Sequence, residues 1–153
     1  MTAQNLMNPN PVTLRPTDTV ATAATHILTH RLRHLPVVDD QGRYLGTFSI
    51  YSLLRLTLPK AVIMEEGLRD VSFTTETIDG LARRLRERGS EPVGQWLSQD
   101  DPVMHPDTPT MEVMLLMLRG RTTSVPVVDQ HSNRLEGIIA FWDVLEKLLV
   151  ETR

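Results

Sequence analysis

No cysteine occurs anywhere in the 153 residues. That absence removes disulfides, thiolate metal sites and cysteine nucleophiles together. No run reaches about 18 consecutive apolar residues, so no membrane span is expected. The opening stretch MTAQNLMNPNPVTLRP lacks the basic-then-apolar layout of a secretory signal, and the expected compartment is the cytoplasm. A basic surplus is missing too: the net charge of −3 argues against a broad nucleic-acid surface. There is no HExxH, no GxSxG and no glycine loop of the kind that cradles phosphates. His26 and His30 stand four apart, a spacing that can hold a metal from one helix face, but no third ligand matches them. A solvated pair at a helix end is the reading preferred. With no nucleophile–base constellation, the chain reads as non-enzymatic.

What is present is an ordinary globular composition, 41% apolar and 23% charged, in a chain long enough to bury a core. The informative feature is a repeat. HLPVVDDQGRYLGTFSIYSLL begins at His34, and SVPVVDQHSNRLEGIIAFWDVL begins at Ser124. Pro36 and Pro126 open the two PVVD runs 90 residues apart, and Pro16 and Pro106 precede them at the same separation. The register therefore holds over a whole structural unit, too long a period for a solenoid. A one-residue longer turn in the second copy moves the Gly46–Gly137 offset to 91.

Each copy reads as β-α-β-β-α. In the first, Val12–Leu14 between prolines is an entering strand, and Thr17 or Asp18 caps a helix carrying Val20, Ala23, Ala24, Ile27 and Leu28 that ends near His30. LPVVD is a buried strand, Asp40–Gly42 a turn and RYLGTFS its antiparallel partner. IYSLLRLTL is a second helix stopped by Pro59. In the second copy PVMHP enters, Thr108 caps a helix with Pro109 at its first position, and VPVVD, QHSN, RLEGIIA and FWDVLEKLLV follow in order. Met111, Met114 and Met117 on the first of these helices read as core filler, with a partner surface as the alternative. Two such units, packed sheet to sheet around one core, give an α+β fold: residues 1–58, a connection 59–92, and residues 93–153. The connection holds a helix from about Glu76 to Arg88, with Ile78, Leu81, Ala82 and Leu85 on one face. Its arginines read as a solvated face.

The paired PVTL/PVMH, LPVVD/VPVVD, glycine-bearing return strand and closing helix resemble a tandem pair of CBS domains, often called a Bateman module. The resemblance implies a non-catalytic regulatory module that binds an adenosine-containing ligand, AMP, ADP, ATP or S-adenosylmethionine, between the copies. No tightly bound cofactor is expected. It also implies a homodimer, and an unidentified effector protein that reads a rearrangement of the dimer. In that family the ribose is held by a Ser or Thr on the return strand and an Asp three residues later. Here the first copy has Ser49 but Ser52 in the aspartate's place, while the second has Asp143 but Ala140 in the hydroxyl's place. Asp143, whose carboxylate can bind both hydroxyls alone, is therefore the main ribose contact expected, and the first site the weaker. By the same resemblance Val12, Thr13, Val103 and Met104 line an adenine slot, with Leu35, Val125 and Pro126 beside it. Arg33, His34 and Arg121, from HRLRHL and RGRTTSV, would stand near phosphates. Each residue also has a plainer role: Asp143 as a first-turn helix acid, Ser49 and Ser52 as caps, Val12, Thr13, Leu35, Val103, Met104 and Val125 as core, the cations as solvated loops. A ligand-free dimerisation or interaction scaffold with degenerate sites is the competing function.

Overall fold

The computed structural model of the protein describes residues 1–58 and 77–151. In chain order these form α1 (Ala3–Leu6), α2 (Val20–His30), β1 (His34–Val38), β2 (Tyr44–Ser49) and α3 (Ile50–Thr57). Then come α4 (Ile78–Glu87), a 3-10 turn (Val93–Gln95), α5 (Thr110–Gly120), β3 (Ser124–Val128), β4 (Leu135–Ala140) and α6 (Phe141–Glu151). The α+β class and the twofold repeat are both present. The stop expected at Pro59 and the helix start expected at Glu76 lie outside the described residues.

Each copy contains one antiparallel pair. Leu35 faces Phe48 and Val37 faces Gly46 in β1–β2, while Val125 faces Ile139 and Val127 faces Gly137 in β3–β4. The PVV letters are the buried inner strand, and the Asp that follows builds the turn. Asp39 Oδ1 accepts the backbone N–H groups of Gln41 and Arg43, both at 2.9 Å, and Asp129 Oδ1 accepts those of His131 (2.7 Å) and Ser132 (3.1 Å). These donors, the Arg43 N–H foremost at Asp39 and the Ser132 N–H at Asp129, hold both carboxyls below the usual range. The entering strands are shorter than expected. Leu14 and Met104 each make a single parallel bridge, to Val37 and Val127, because nearby prolines cannot donate to a longer ladder.

The helix starts differ from expectation by one or two residues. Thr19, not Thr17 or Asp18, caps α2 by accepting the Thr22 N–H at 3.2 Å. Asp18 instead closes the preceding turn on the Arg15 N–H at 2.8 Å. Thr108 repeats that role on the His105 N–H at 3.0 Å, leaving Pro109 at the cap of α5 with no side-chain bond. Of the three methionines of α5 only Met117 is buried, and Met111 is 82% exposed. Steps of three fall short of a 3.6-residue turn, so the row winds off the core face.

The expected single core is in fact two clusters of buried side chains. One gathers Leu14, Val20, Ala23, Ile27, Leu35, Val37, Phe48 and Leu56 with Val93; the other gathers Met104, Val113, Met117, Val125, Val127, Ile139 and Val144 with Ala3 and Leu6. Each cluster thus borrows from the segment that leads into the other copy. Backbone hydrogen bonds seal the exchange. Asn8 and Ile138 bond reciprocally at 2.8 and 3.0 Å, as do Ser98 and Thr47 at 2.9 and 3.0 Å. The repeated glycines permit these close approaches: a Cβ on Gly46 would stand 2.9 Å from the Ser98 oxygen, and one on Gly137 2.6 Å from the Asn8 oxygen. The two hairpin turns also join, Tyr44 N–H to the Asn133 oxygen (2.8 Å) and Leu135 N–H to the Gly42 oxygen (3.0 Å).

Candidate functional site

The exchange brings the start of β1 next to the start of β3. His34 Nδ1 lies 2.9 Å from Ser124 Oγ, so the first residues of the two inner strands meet at the junction of the copies. Beside that contact opens a cavity of about 500 Å³. Its first wall comes from Arg33, His34, Thr47, Ser49, Ser52 and Arg55; the opposite wall comes from Gln95–Ser98, Asp101, Pro102, Gly120–Ser124 and Pro126.

Local structure explains each position. Ser49 ends β2 and caps α3, its Oγ accepting the Tyr51 N–H at 3.1 Å, while Ser52 Oγ accepts the Ser49 N–H at 3.1 Å. This reciprocal capping box holds both buried hydroxyls at the mouth of α3. Arg55 follows one turn later. Arg121 caps α5 in the left-handed conformation, φ 48°, and the matching residue Arg31 caps α2 at φ 54°. That backbone turns Thr122–Ser124 back into β3 along the cavity wall.

The electrostatics favour anions. Arg33, Arg55 and Arg121 make no ion pair among the described residues. Among the described residues Asp101 is the one carboxylate in the lining. Burial pushes the His34 imidazole below its ordinary value, Asp101 opposes that shift and Arg33 adds to it, so the ring is neutral at pH 7. Burial also raises the Tyr44 phenol, whose oxygen lies 2.7 Å from Thr47 Oγ1.

Of the residues singled out in the sequence, Arg33, His34, Ser49, Ser52, Arg121 and Pro126 come together here. Leu35, Met104 and Val125 are buried in the two cores, Val12 packs against the first core, Val103 is half-buried and Thr13 is exposed. Asp143 stands in the first turn of α6, where its Oδ2 accepts the Ala140 N–H at 2.8 Å. Ser52 makes the matching contact in the first copy. Neither capping bond occupies Asp143 Oδ1. His26 and His30 stack with ring centres 6.0 Å apart, and among the described residues no three metal-ligating side chains cluster.

Sequence reasoning missed Arg55, Trp96 and Asp101. Arg55 carried a signal, being one helical turn beyond Ser52 on α3. Asp101 directly precedes the entering segment. Trp96 carried none: its ring lines the cavity under the Arg88 guanidinium (4.6 Å to the ring centre), and its buried indole N–H has no acceptor among the described residues.

A second concavity, about 630 Å³, runs between α5 and α6 and is almost wholly apolar, lined by Met111, Met114, Leu118, Phe141, Leu145 and Leu148 among others. Among the described residues no helix is long and apolar enough to cross a membrane.

Comparison with known proteins agrees with this architecture. The CBS domain family matches residues 3–58 and 93–150. The CBS domain-containing protein CBSX1, chloroplastic, of Arabidopsis thaliana is 25% identical over 138 residues, covering 89% of this chain and 58% of its own length. L-aspartate semialdehyde sulfurtransferase of Methanocaldococcus jannaschii is 24% identical over 92% of this chain, which spans only 22% of that enzyme. Among solved structures, CBSX2 of Arabidopsis thaliana in complex with AMP superposes with a TM-score of 0.73 at 23% identity, covering 99% of this chain and 98% of that one. The CBS domain pair of protein MJ0100, in complex with 5′-methylthioadenosine and S-adenosyl-L-methionine, superposes at 0.64 and 19% identity, covering 100% and 98%. Two family matches, one on each half of the repeat and joined by an exchange of arms, show that this chain belongs to the CBS-domain family as a tandem pair.

Proposed function

We propose that the chain is a non-catalytic sensor that binds one adenosine-containing ligand in the cavity between its two copies. The observation that carries this reading is the composition of the cavity wall. Ser49, Ser52 and Arg55 come from one copy, and Arg121–Ser124 from the other, so a ligand touching both walls fixes the copies relative to each other. A volume of about 500 Å³ falls within the range of roughly 300–1,000 Å³ typical of small-molecule sites. The AMP bound to CBSX2 and the adenosyl compounds bound to MJ0100 support an adenosine ligand. The ligand shifts the module only by binding one arrangement of the copies more tightly. We take residues 1–58 and 93–153 as the regulatory units, 59–92 as their connection, the cytoplasm as the compartment, and Asp143 as a second ribose contact in the matching cleft.

A thermal-unfolding series against AMP, ADP, ATP, 5′-methylthioadenosine and S-adenosylmethionine tests the reading. A ligand at about 100 times its dissociation constant adds roughly 2.7 kcal/mol, a rise of about 5–11 °C for a chain of this length. A flat response to all five at millimolar concentration refutes it. The second reading, a ligand-independent dimerisation scaffold, is favoured by the apolar groove of α5 and α6, where Met111 and Leu118 are 82% and 75% exposed. A concentration-dependent dimer together with that flat response would select it.

A further inference from the structure

We infer that the cavity selects its ligand by phosphate charge, taking anionic adenosine nucleotides and rejecting neutral or cationic adenosyl compounds, and that each chain offers one such site. The inference rests on the ligand-binding reading above and narrows it. Three observations carry it.

The first is charge. Arg33, Arg55 and Arg121 line one cavity against the single carboxylate of Asp101, and none of the three has an ion-pair partner among the described residues. Guanidinium groups without a carboxylate match phosphate oxygens in both charge and geometry. 5′-Methylthioadenosine is uncharged and offers them nothing. S-Adenosylmethionine carries a sulfonium and an ammonium against its own single carboxylate, so its net positive charge disfavours it beside three guanidinium groups and one Asp.

The second is the ribose end. Ser52 occupies the place of a carboxylate, and both it and Ser49 already accept backbone N–H groups. Each hydroxyl can still donate one bond to a ribose oxygen and accept one more, but no carboxylate stands at Ser52's position to take both hydroxyls of the diol. Recognition through the sugar is therefore weak, which leaves the phosphate end to decide affinity.

The third is the contrast with the equivalent positions of the repeat. At the positions equivalent to Arg33, Arg55 and Arg121 the other half of the repeat carries Thr123, Glu146 and Arg31, and Asp143 stands opposite Ser52. Only one of three cations remains there, beside two added carboxylates. A polyphosphate that suits the cavity is disfavoured at these equivalent positions.

The test is calorimetric titration of the full chain with ATP, AMP, 5′-methylthioadenosine, S-adenosylmethionine and inorganic tripolyphosphate, repeated at about 0.05 and 0.5 M salt, a change that shortens the screening length several-fold. The expected order is ATP above AMP, with the two uncharged or cationic compounds at least tenfold below AMP and one ATP per chain. ATP affinity should drop with salt. Arg55→Gln and Arg121→Gln should each weaken ATP about tenfold, the scale of one charged hydrogen bond, and leave 5′-methylthioadenosine unchanged. Unaltered unfolding of the ligand-free variants confirms that their fold is intact. Equal binding of AMP and 5′-methylthioadenosine, or two ATP per chain, overturns the inference while leaving the sensor reading standing. Tripolyphosphate binding as tight as ATP keeps charge selection and overturns the adenosine ligand. No binding by any of the five overturns both.

Discussion

The two halves of this chain share a backbone and differ in what they show to solvent and to ligand. The first half gives the cavity between the copies two arginines, Arg33 and Arg55, where the second half carries Thr123 and Glu146 at the equivalent positions. The second half presents the wide apolar face of α5 and α6, while α2 carries threonines and histidines and leaves only Leu28 as a large exposed apolar side chain. The two buried strand pairs keep the same register because packing constrains them, whereas the surface positions differ in charge and polarity.

Phe48 and Ile139 give the largest expected effect and ask whether the halves are separate at all. They occupy equivalent, fully buried positions in the two cores. Phe48→Ala should destabilise by about 3–5 kcal/mol and Ile139→Ala by about 2–5 kcal/mol. Because each core contains residues from the other copy's leading arm, both variants should still unfold in one transition, followed by calorimetry. Two resolved transitions would mean that the arms do not couple the copies.

Next come the glycines beneath those arms. Gly137→Ala places a methyl 2.6 Å from the Asn8 oxygen and 2.8 Å from Met7 Sδ, and Gly46→Ala places one 2.9 Å from the Ser98 oxygen. The backbone oxygens cannot retreat without opening the reciprocal hydrogen bonds, so each change should cost about 1–3 kcal/mol, the scale of overpacking. Urea denaturation measures it. A substitution that left stability unchanged would show that the arm can lift away from that strand.

A smaller effect separates the clefts. Arg55→Gln should lower ATP affinity about tenfold, and Glu146→Gln, at the equivalent position on α6, should leave it unchanged. Fluorescence reads both, since Trp96 lines the cavity while Trp142 is exposed on α6; a Trp142→Phe background isolates the signal. Equal losses in the two variants would erase the distinction between the clefts.

Much of this frame was legible in the sequence, and the reason is the repetition itself. One PVVD run is a short apolar strand with a turn acid; two in register over a helix and a hairpin define a duplicated unit. The arm exchange was not legible. Its bonds, Asn8 to Ile138 and Ser98 to Thr47, are backbone to backbone across long separations, and such bonds leave no side-chain pattern. The glycine pair alone marks them. Of the site, six of thirteen singled-out residues line the cavity. The apolar ones at the strand starts went inward because a buried strand needs them as core, and Trp96 and Asp101 arrive from a segment that only the exchange brings across.

The smallest expected effect concerns His34, the point where the halves touch. Its partner at the equivalent position is Ser124, so the junction pairs one titratable side chain with one that is not. Burial lowers the folded-state value below the ordinary 6.5, with Arg33 adding to the shift and Asp101 opposing it. In the unfolded chain the ring takes up its proton near 6.5; in the folded chain it resists. Between those two values the unfolded state binds more protons, so stability falls as pH drops below about 6.5 and is fully retained above it. Urea midpoints from pH 8 to pH 5 should decline over that lower range, and His34→Gln should flatten the His34 part of the decline. A bound nucleotide reverses part of the effect, because phosphate charge beside the ring favours the imidazolium. Binding should then take up protons below pH 6.5, and calorimetry in two buffers of different ionisation enthalpy would detect it; buffer-independent heats would place the phosphates away from His34.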